Sequence, residues 1–258
     1  MNILAIGNSF SQDATARLMD LARQAGRPLA VCNLYIGGCS LEQHLCNAAL
    51  NRIGYDLQEN GQSTGRTVSI KEALSLKRWD WITMQQASHF SAFYERYQPW
   101  AKSLATYVRY WAPEARLAVH QTWAYQAGSQ RLHDMHFATS GEMFCAVEDC
   151  YRRMAQELQA DLLIPSGKAM ELARQEPDFD ETRPDTLRIC RDTFHASMEH
   201  GRYLLAAVWF ETFTGHAAWE STYCPEGIAL HRLALLQRIA HEAVHSNAGI
   251  ERCKKGSL

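Results

Sequence analysis

Two short stretches far apart in the chain carry residue types that could do chemistry together. "ILAIGNSFS", residues 3 to 11, places Ser9 where an apolar run turns into a polar, helix-forming stretch. "RDTFHASMEHGRYLLAAVWFETFTG", residues 191 to 215, places Asp192 and His195 three apart in a polar segment just before a long apolar helix. A serine hydroxyl is a poor nucleophile unless a neighbouring base takes its proton, and the base needs a group that orients it and stabilises its charged form. The D-x-x-H spacing lets the carboxylate hold the imidazole Nδ1–H while Nε2 faces a hydroxyl. Each residue also has a plainer reading: Ser9 or Ser11 could cap a helix that begins at Gln12, and Asp192 could cap a surface turn.

Acyl transfer needs donors where negative charge develops on the carbonyl oxygen. "YIGGCS", residues 35 to 40, offers Gly37-Gly38, where backbone N–H groups can approach a ligand, and a helix that begins at Ser40 and favours an anion at its start. "ITMQQASH", residues 82 to 89, offers the side-chain amides of Gln85 and Gln86, which could equally be a polar strand end bonded to nearby backbone. Trp123 and Tyr125, in "HQTWAY", follow a later strand and could stack on a sugar ring or pack the core. His120 reads as a satisfied core histidine, and Asp13 as a first-turn acid that complements a helix dipole without a catalytic part.

A second chemistry is written near the end of the chain. "HEAVH", residues 241 to 245, matches H-E-x-x-H, which on a helix sets His241 and His245 one turn apart for zinc with Glu242 as general base. The longer metalloprotease form fails at Ala248 and Glu251, and only residues 246–258 follow to build a cleft. His241 and His245 are therefore expected to be solvated on an amphipathic surface helix. The serine chemistry requires no metal or organic cofactor.

These segments must be positioned by the elements between them. Candidate strands at Ile3 to Gly7, Leu29 to Ile36, Trp79 to Gln85, Arg116 to Trp123 and Asp161 to Pro165 alternate with helix-like stretches at Gln12 to Ala25, Pro99 to Trp111, Gly141 to Ala160, His200 to Thr214 and Glu226 to His245. Such alternation predicts an α/β fold: a flavodoxin-like, doubly wound sheet of about five parallel strands with helices on both faces. Ligands of such folds bind beyond the C-terminal strand ends, and Ser9 lies just past the first of them. Residues 55–69 read as an inserted loop or hairpin, and 226–258 as a C-terminal helix and tail, all within one domain spanning 1–258.

The chain has 258 residues, 47% of them hydrophobic, with 26 basic against 28 acidic side chains and no long run of either sign. That balance argues against nucleic acid and membrane as partners and leaves a small molecule. No apolar stretch approaches the roughly 20 residues needed to span a bilayer, and Met1-Asn2 leads straight into a strand without a basic leader, so a cytoplasmic location is expected. Eight scattered cysteines without a C-x-x-C pair read as small buried hydrophobes in a reducing compartment, with Cys39 the thiol to follow. Nothing in the sequence sets an oligomeric state.

The order of these blocks resembles the SGNH, or GDSL-like, hydrolases. "AIGNSFSQDA", "YIGGCSLEQH", "QQASH", "HQTWAY" and the closing D-x-x-H with "GRYLLAAVWFETFTG" are similar to a bacterial branch of that superfamily, over about residues 3 to 215. The resemblance implies a three-layer α/β/α sandwich and hydrolysis of esters, often acyl groups on carbohydrates. It also implies Ser9 as nucleophile, Asp192 and His195 as the rest of the triad, and Ser9 N–H, Gly38 N–H and a side-chain amide as oxyanion donors. Two departures stand out: Asn8 replaces the usual aspartate, and the third block lacks the usual asparagine. Related carbohydrate esterases carry glutamine there, which points to Gln86, with Gln85 close behind. The implied activity is a small-acyl, chiefly acetyl, esterase on carbohydrate, with lysophospholipid or thioester substrates behind it. The contrasting class is a non-catalytic carbohydrate-binding protein on the same scaffold.

Overall fold

A computed structural model describes residues 1–246. The described residues contain one sheet built from β1 (Asn2–Gly7), β2 (Ala30–Tyr35), β3 (Tyr55–Glu59), β4 (Gln62–Val68), β5 (Trp81–Met84), β6 (Arg116–His120) and β7 (Leu162–Ile164), in the order β4-β3-β2-β1-β5-β6-β7. The five strands β2, β1, β5, β6 and β7 are parallel, in register at pairs such as Ile3 with Val31 and Ile3 with Trp81. Their order is the flavodoxin-like one expected. β1 lies at the centre, and Ile3, Leu4, Ala5 and Ile6 are buried in succession because helices cover both faces.

The segment 55–69 forms a hairpin, not a loop. β3 pairs antiparallel with β2, and β4 pairs with β3 through a turn at Asn60-Gly61, both residues having positive φ, 51° and 80°. Asn-Gly is the dipeptide that such a two-residue turn favours, because its twist matches that of the strands.

The helices are α1 (Ser9–Thr15), α2 (Leu18–Gln24), α3 (Leu41–Ala49), α4 (Ile70–Ser75), α5 (Trp100–Trp111), α6 (Gln130–Asp134), α7 (Ser140–Glu157), α8 (Ser166–Arg174), α9 (His200–Thr214) and α10 (Leu230–Ser246). α1, α2, α8 and α10 gather round α9 on one side of the sheet, while α3, α4, α5 and α7 form the other layer. The result is the three-layer α/β/α arrangement. α9 is buried on every side from Tyr203 to Phe210, which is why its sequence is apolar without a polar stripe.

The helix expected from Gln12 to Ala25 is two helices. α1 starts three residues earlier, at Ser9, and stops at Thr15, whose hydroxyl donates back to the Ser11 carbonyl at 2.9 Å. Seven cysteines are free, and Cys253 together with the rest of the tail lies outside the described residues. Among the described residues no helix is long and apolar enough to cross a membrane.

Candidate active site

The turn after β1 sets the geometry. Asn8, extended at φ −148°, is the N-cap of α1: its Oδ1 accepts the Phe10 N–H at 3.0 Å, and Ser11 Oγ accepts the Asn8 N–H at 3.1 Å. Neither Ser9 nor Ser11 is the cap residue, and Ser9, the first residue of α1, keeps its hydroxyl free of capping. Gly7 is required here because a Cβ would lie 2.2 Å from Ser11 Oγ. Asn8 also accepts from Gln85 Nε2 at 2.8 Å and donates through Nδ2 to the Cys39 carbonyl at 3.1 Å. One side chain thus ties together the ends of β1, β2 and β5, and an aspartate could not make the last of these bonds.

The Ser9 hydroxyl lies 2.8 Å from His195 Nε2, and His195 Nδ1 lies 2.7 Å from Asp192 Oδ2. Because an ionised carboxylate only accepts, the proton on Nδ1 is assigned to the Asp192 side, which leaves Nε2 as acceptor toward Ser9. Asp192 Oδ1 also accepts the His195 backbone N–H at 2.8 Å. Burial raises the Asp192 pKa, but the bonds from the His195 ring and backbone outweigh it and hold the carboxyl below its ordinary range.

The loop that carries both residues is fastened at several points. The Arg191 N–H donates to the His195 carbonyl at 2.9 Å, the Gln126 N–H to the Thr193 carbonyl at 2.7 Å, and Trp123 Nε1 to the Phe194 carbonyl at 2.7 Å. Beneath it lies Asp13, fully buried, which accepts from Arg191 Nη1 at 3.0 Å, Arg202 Nε at 2.8 Å and the Ala196 N–H at 3.1 Å. Asp13 was expected merely to complement the helix dipole. It is instead the anchor between α1, which carries Ser9, and the loop that carries His195. The available signal was an acid four residues after Ser9 on a helix whose neighbours Phe10 and Ala14 face the core, with arginines flanking the D-x-x-H.

A cleft of about 370 Å³ opens over these residues, lined by Ser9, Gly37, Gly38, Tyr125, Phe194 and His195 among others. Gly38 has φ +64°, and no heavy atom lies within 4 Å of where a Cβ would sit. Tyr125 joins the lining with its hydroxyl 3.0 Å from Ser88 Oγ. Arg131 stacks on Phe194 at 4.0 Å and brings a guanidinium to the cleft. Two larger hollows, of about 570 and 580 Å³, lie elsewhere and are lined by neither Ser9 nor His195.

Three sequence expectations do not survive the geometry. Gln85 does not line the cleft: its Nε2 goes to Asn8 and its Oε1 meets His120 Nδ1 at 2.7 Å. Gln86 does not line it either: Oε1 accepts the N–H groups of Leu41 and Ala87 at 3.0 and 2.8 Å, and Nε2 donates to the Arg96 carbonyl at 2.7 Å. Trp123 is fully buried and stacks on Phe10 at 4.1 Å, so it belongs to the core. His120 is the buried core histidine expected, held between Gln85 and Ser166, and burial pushes its pKa down to about 3. Cys39 is buried beside Gly38 with its thiol pKa pushed up to about 12, which keeps it protonated and unreactive.

The H-E-x-x-H residues stand apart from this cleft. Glu242 is exposed and 3.8 Å from Arg238. His241 is not simply solvated: its Nδ1 lies 3.0 Å from Oε2 of Glu211, a buried residue of α9.

Comparison with known proteins bears on the whole chain. A protein from Bacteroides uniformis is similar in structure, with 33% sequence identity, a TM-score of 0.85 and 95% of each chain covered, and its structure is described as a DUF4886 family protein. A putative GDSL-like lipase from Parabacteroides merdae aligns with a TM-score of 0.54 at 13% identity, over 82% of this chain and 94% of that one. TesA aligns with a TM-score of 0.51 at 13% identity, over 83% and 99%. At that identity the likeness is one of fold, and the fold is the SGNH, GDSL-like one that the sequence blocks resemble. No curated protein matches the chain. Residues 2–243 match the family described as "Domain of unknown function (DUF4886)", and the chain belongs to that family.

Proposed function

We propose that the protein is a serine esterase of the SGNH type that works through an acyl-enzyme. The observation that carries this reading is the unbroken relay of Asp192, His195 and Ser9, at 2.7 and 2.8 Å, opening on a cleft. Ser9 Oγ attacks the ester carbonyl carbon as His195 Nε2 takes its proton, and Asp192 stabilises the imidazolium. The N–H groups of Ser9, at the start of α1, and of Gly38 receive the oxyanion. The tetrahedral intermediate expels the alcohol, which leaves with the proton from His195. Water then attacks the acyl group with His195 again as base, and Ser9 regains its proton.

The substrate we propose is a small acyl group, chiefly acetyl, on a carbohydrate. A cleft of about 370 Å³ suits a small substrate, and the half-buried Tyr35 ring in its lining offers a face to a sugar, whereas Tyr125 is buried and Phe194 lies between Arg131 and His195. The GDSL-like lipase among the structural relatives is in keeping with ester chemistry.

A fluorophosphonate probe and p-nitrophenyl acetate test the reading. Native protein is expected to be labelled and to turn over, and Ser9→Ala to lose labelling and at least about 10³-fold in turnover. A second reading, a non-catalytic carbohydrate-binding protein, is favoured by one observation: neither Gln85 nor Gln86 brings an amide to the cleft as a third oxyanion donor. Native protein that is inert to both reagents yet binds acetylated sugar would establish it.

A further inference from the structure

We propose that Glu211, His241 and His245 form a binding site for a divalent transition metal, zinc in particular, that clamps α9 to α10 away from the catalytic cleft. His241 and His245 lie one turn apart on α10, the i, i+4 placement from which two imidazoles can reach one ion, and their rings are in contact, with centroids 3.9 Å apart. Glu211 reaches the pair from α9, and one ligand atom from each residue lies within 4.8 Å of the others. The third ligand is therefore not the glutamate of the H-E-x-x-H pattern. Glu242 turns to Arg238, so the cluster lacks the general base of a zinc hydrolase and has the character of a structural site.

Three features prepare these residues for a cation. The Glu211 side chain is only 1% exposed, and the partner recorded for its charge among the described residues is a histidine, not an arginine or lysine. Its other oxygen, Oε1, is fixed by the Ala218 N–H at 2.9 Å, which orients the carboxylate toward α10. His245 Nδ1 lies 2.8 Å from the His241 carbonyl oxygen, so it carries the proton of the neutral ring and leaves the Nε2 lone pair for a metal. His245 also lies in the last turn of α10, where the helix dipole favours positive charge. Two nitrogens and one carboxylate oxygen form a donor set suited to zinc, with water completing the shell at the exposed side. Tetrahedral zinc holds its ligand atoms about 3.4 Å apart, so the three ligand atoms, now within 4.8 Å of one another, draw together on binding.

The test uses the full-length, untagged, chelator-stripped protein titrated with Co²⁺ and followed by its visible d–d absorption, then challenged with Zn²⁺. We expect saturation at one equivalent, displacement of the cobalt band by zinc, and a melting temperature raised by about 5 °C in excess zinc. His245→Ala, at an exposed position, is expected to keep the fold and weaken binding at least tenfold, and His241→Ala likewise. Fluorophosphonate labelling of Ser9 is expected to be unchanged in both variants. Absence of saturable binding below about 1 mM, or a cobalt band that survives in both variants, overturns the proposal.

Discussion

Asp13→Asn separates positioning from mere stability. Asp13 is fully buried, and its carboxylate takes both Arg191 and Arg202, whose side chains are 29% and 18% exposed, at 3.0 and 2.8 Å. Neutralising one partner of a largely desolvated ion cluster costs about 3 kcal/mol, and the Ala196 N–H can keep an acceptor in the amide oxygen. For a chain of this size that lowers the melting temperature by roughly 6–12 °C, which leaves a folded protein at 25 °C. The loop from Arg191 to Ala196 then loses the tie that sets His195 against Ser9, and a displacement near 1 Å reduces turnover by about 10²-fold. The assay is kcat/KM on p-nitrophenyl acetate together with the rate of fluorophosphonate labelling, both at a temperature where circular dichroism shows the variant folded. A variant that melts earlier but labels and turns over within about threefold of native would refute the positioning role.

Further expectations concern the residues beside the site. Gln86→Ala leaves the Leu41 and Ala87 N–H groups without an acceptor and destabilises by about 1–3 kcal/mol, but kcat falls less than tenfold; a loss of about 10²-fold or more, the effect of removing an oxyanion donor, would restore Gln86 to that role. Gly7→Ala drives a methyl into Ser11 Oγ, breaks the capping box and costs about 1–3 kcal/mol in a urea titration; an unchanged midpoint contradicts the packing described. His44 and His120 are both buried with pKa values pushed down to about 3, so the unfolded chain binds more protons below pH 6.5 and stability falls as pH drops through the window from 6.5 to 3. Two such groups contribute about 4 kcal/mol of loss between pH 7.5 and 5, and equal urea midpoints at those two pH values would contradict it.

The parallel strands were legible because β1 and its neighbours are covered on both faces and must be nearly all apolar, a pattern that needs no tertiary knowledge. The Asn-Gly turn marked the hairpin in the same local way. Ser9, Asp192 and His195 could be singled out because a hydroxyl, an imidazole and a carboxylate able to form such a chain of hydrogen bonds are restricted to few residue types, and the fold does bring the three together. What the amides of Gln85 and Gln86 do was not legible, since their partners Asn8, His120, Leu41 and Arg96 come from other elements. The same holds for Asp13 and Glu211, whose acids look like ordinary helix charges until the packing buries them. Trp123 shows the limit of reading a rim position from strand ends: β6 stops at His120, and the residues after it turn inward.

The hairpin of β3 and β4 has a consequence for association between molecules. An open sheet border is a template on which a neighbouring chain can add its own backbone. Here one border is β4, whose residues from Gln62 to Thr67 are solvent-exposed and polar or glycine, with Arg66 among them. The opposite border, β7, is only three residues long. Neither side offers a long apolar ladder, so the layout that extends the sheet also guards it against intermolecular strand addition and the aggregation that would follow.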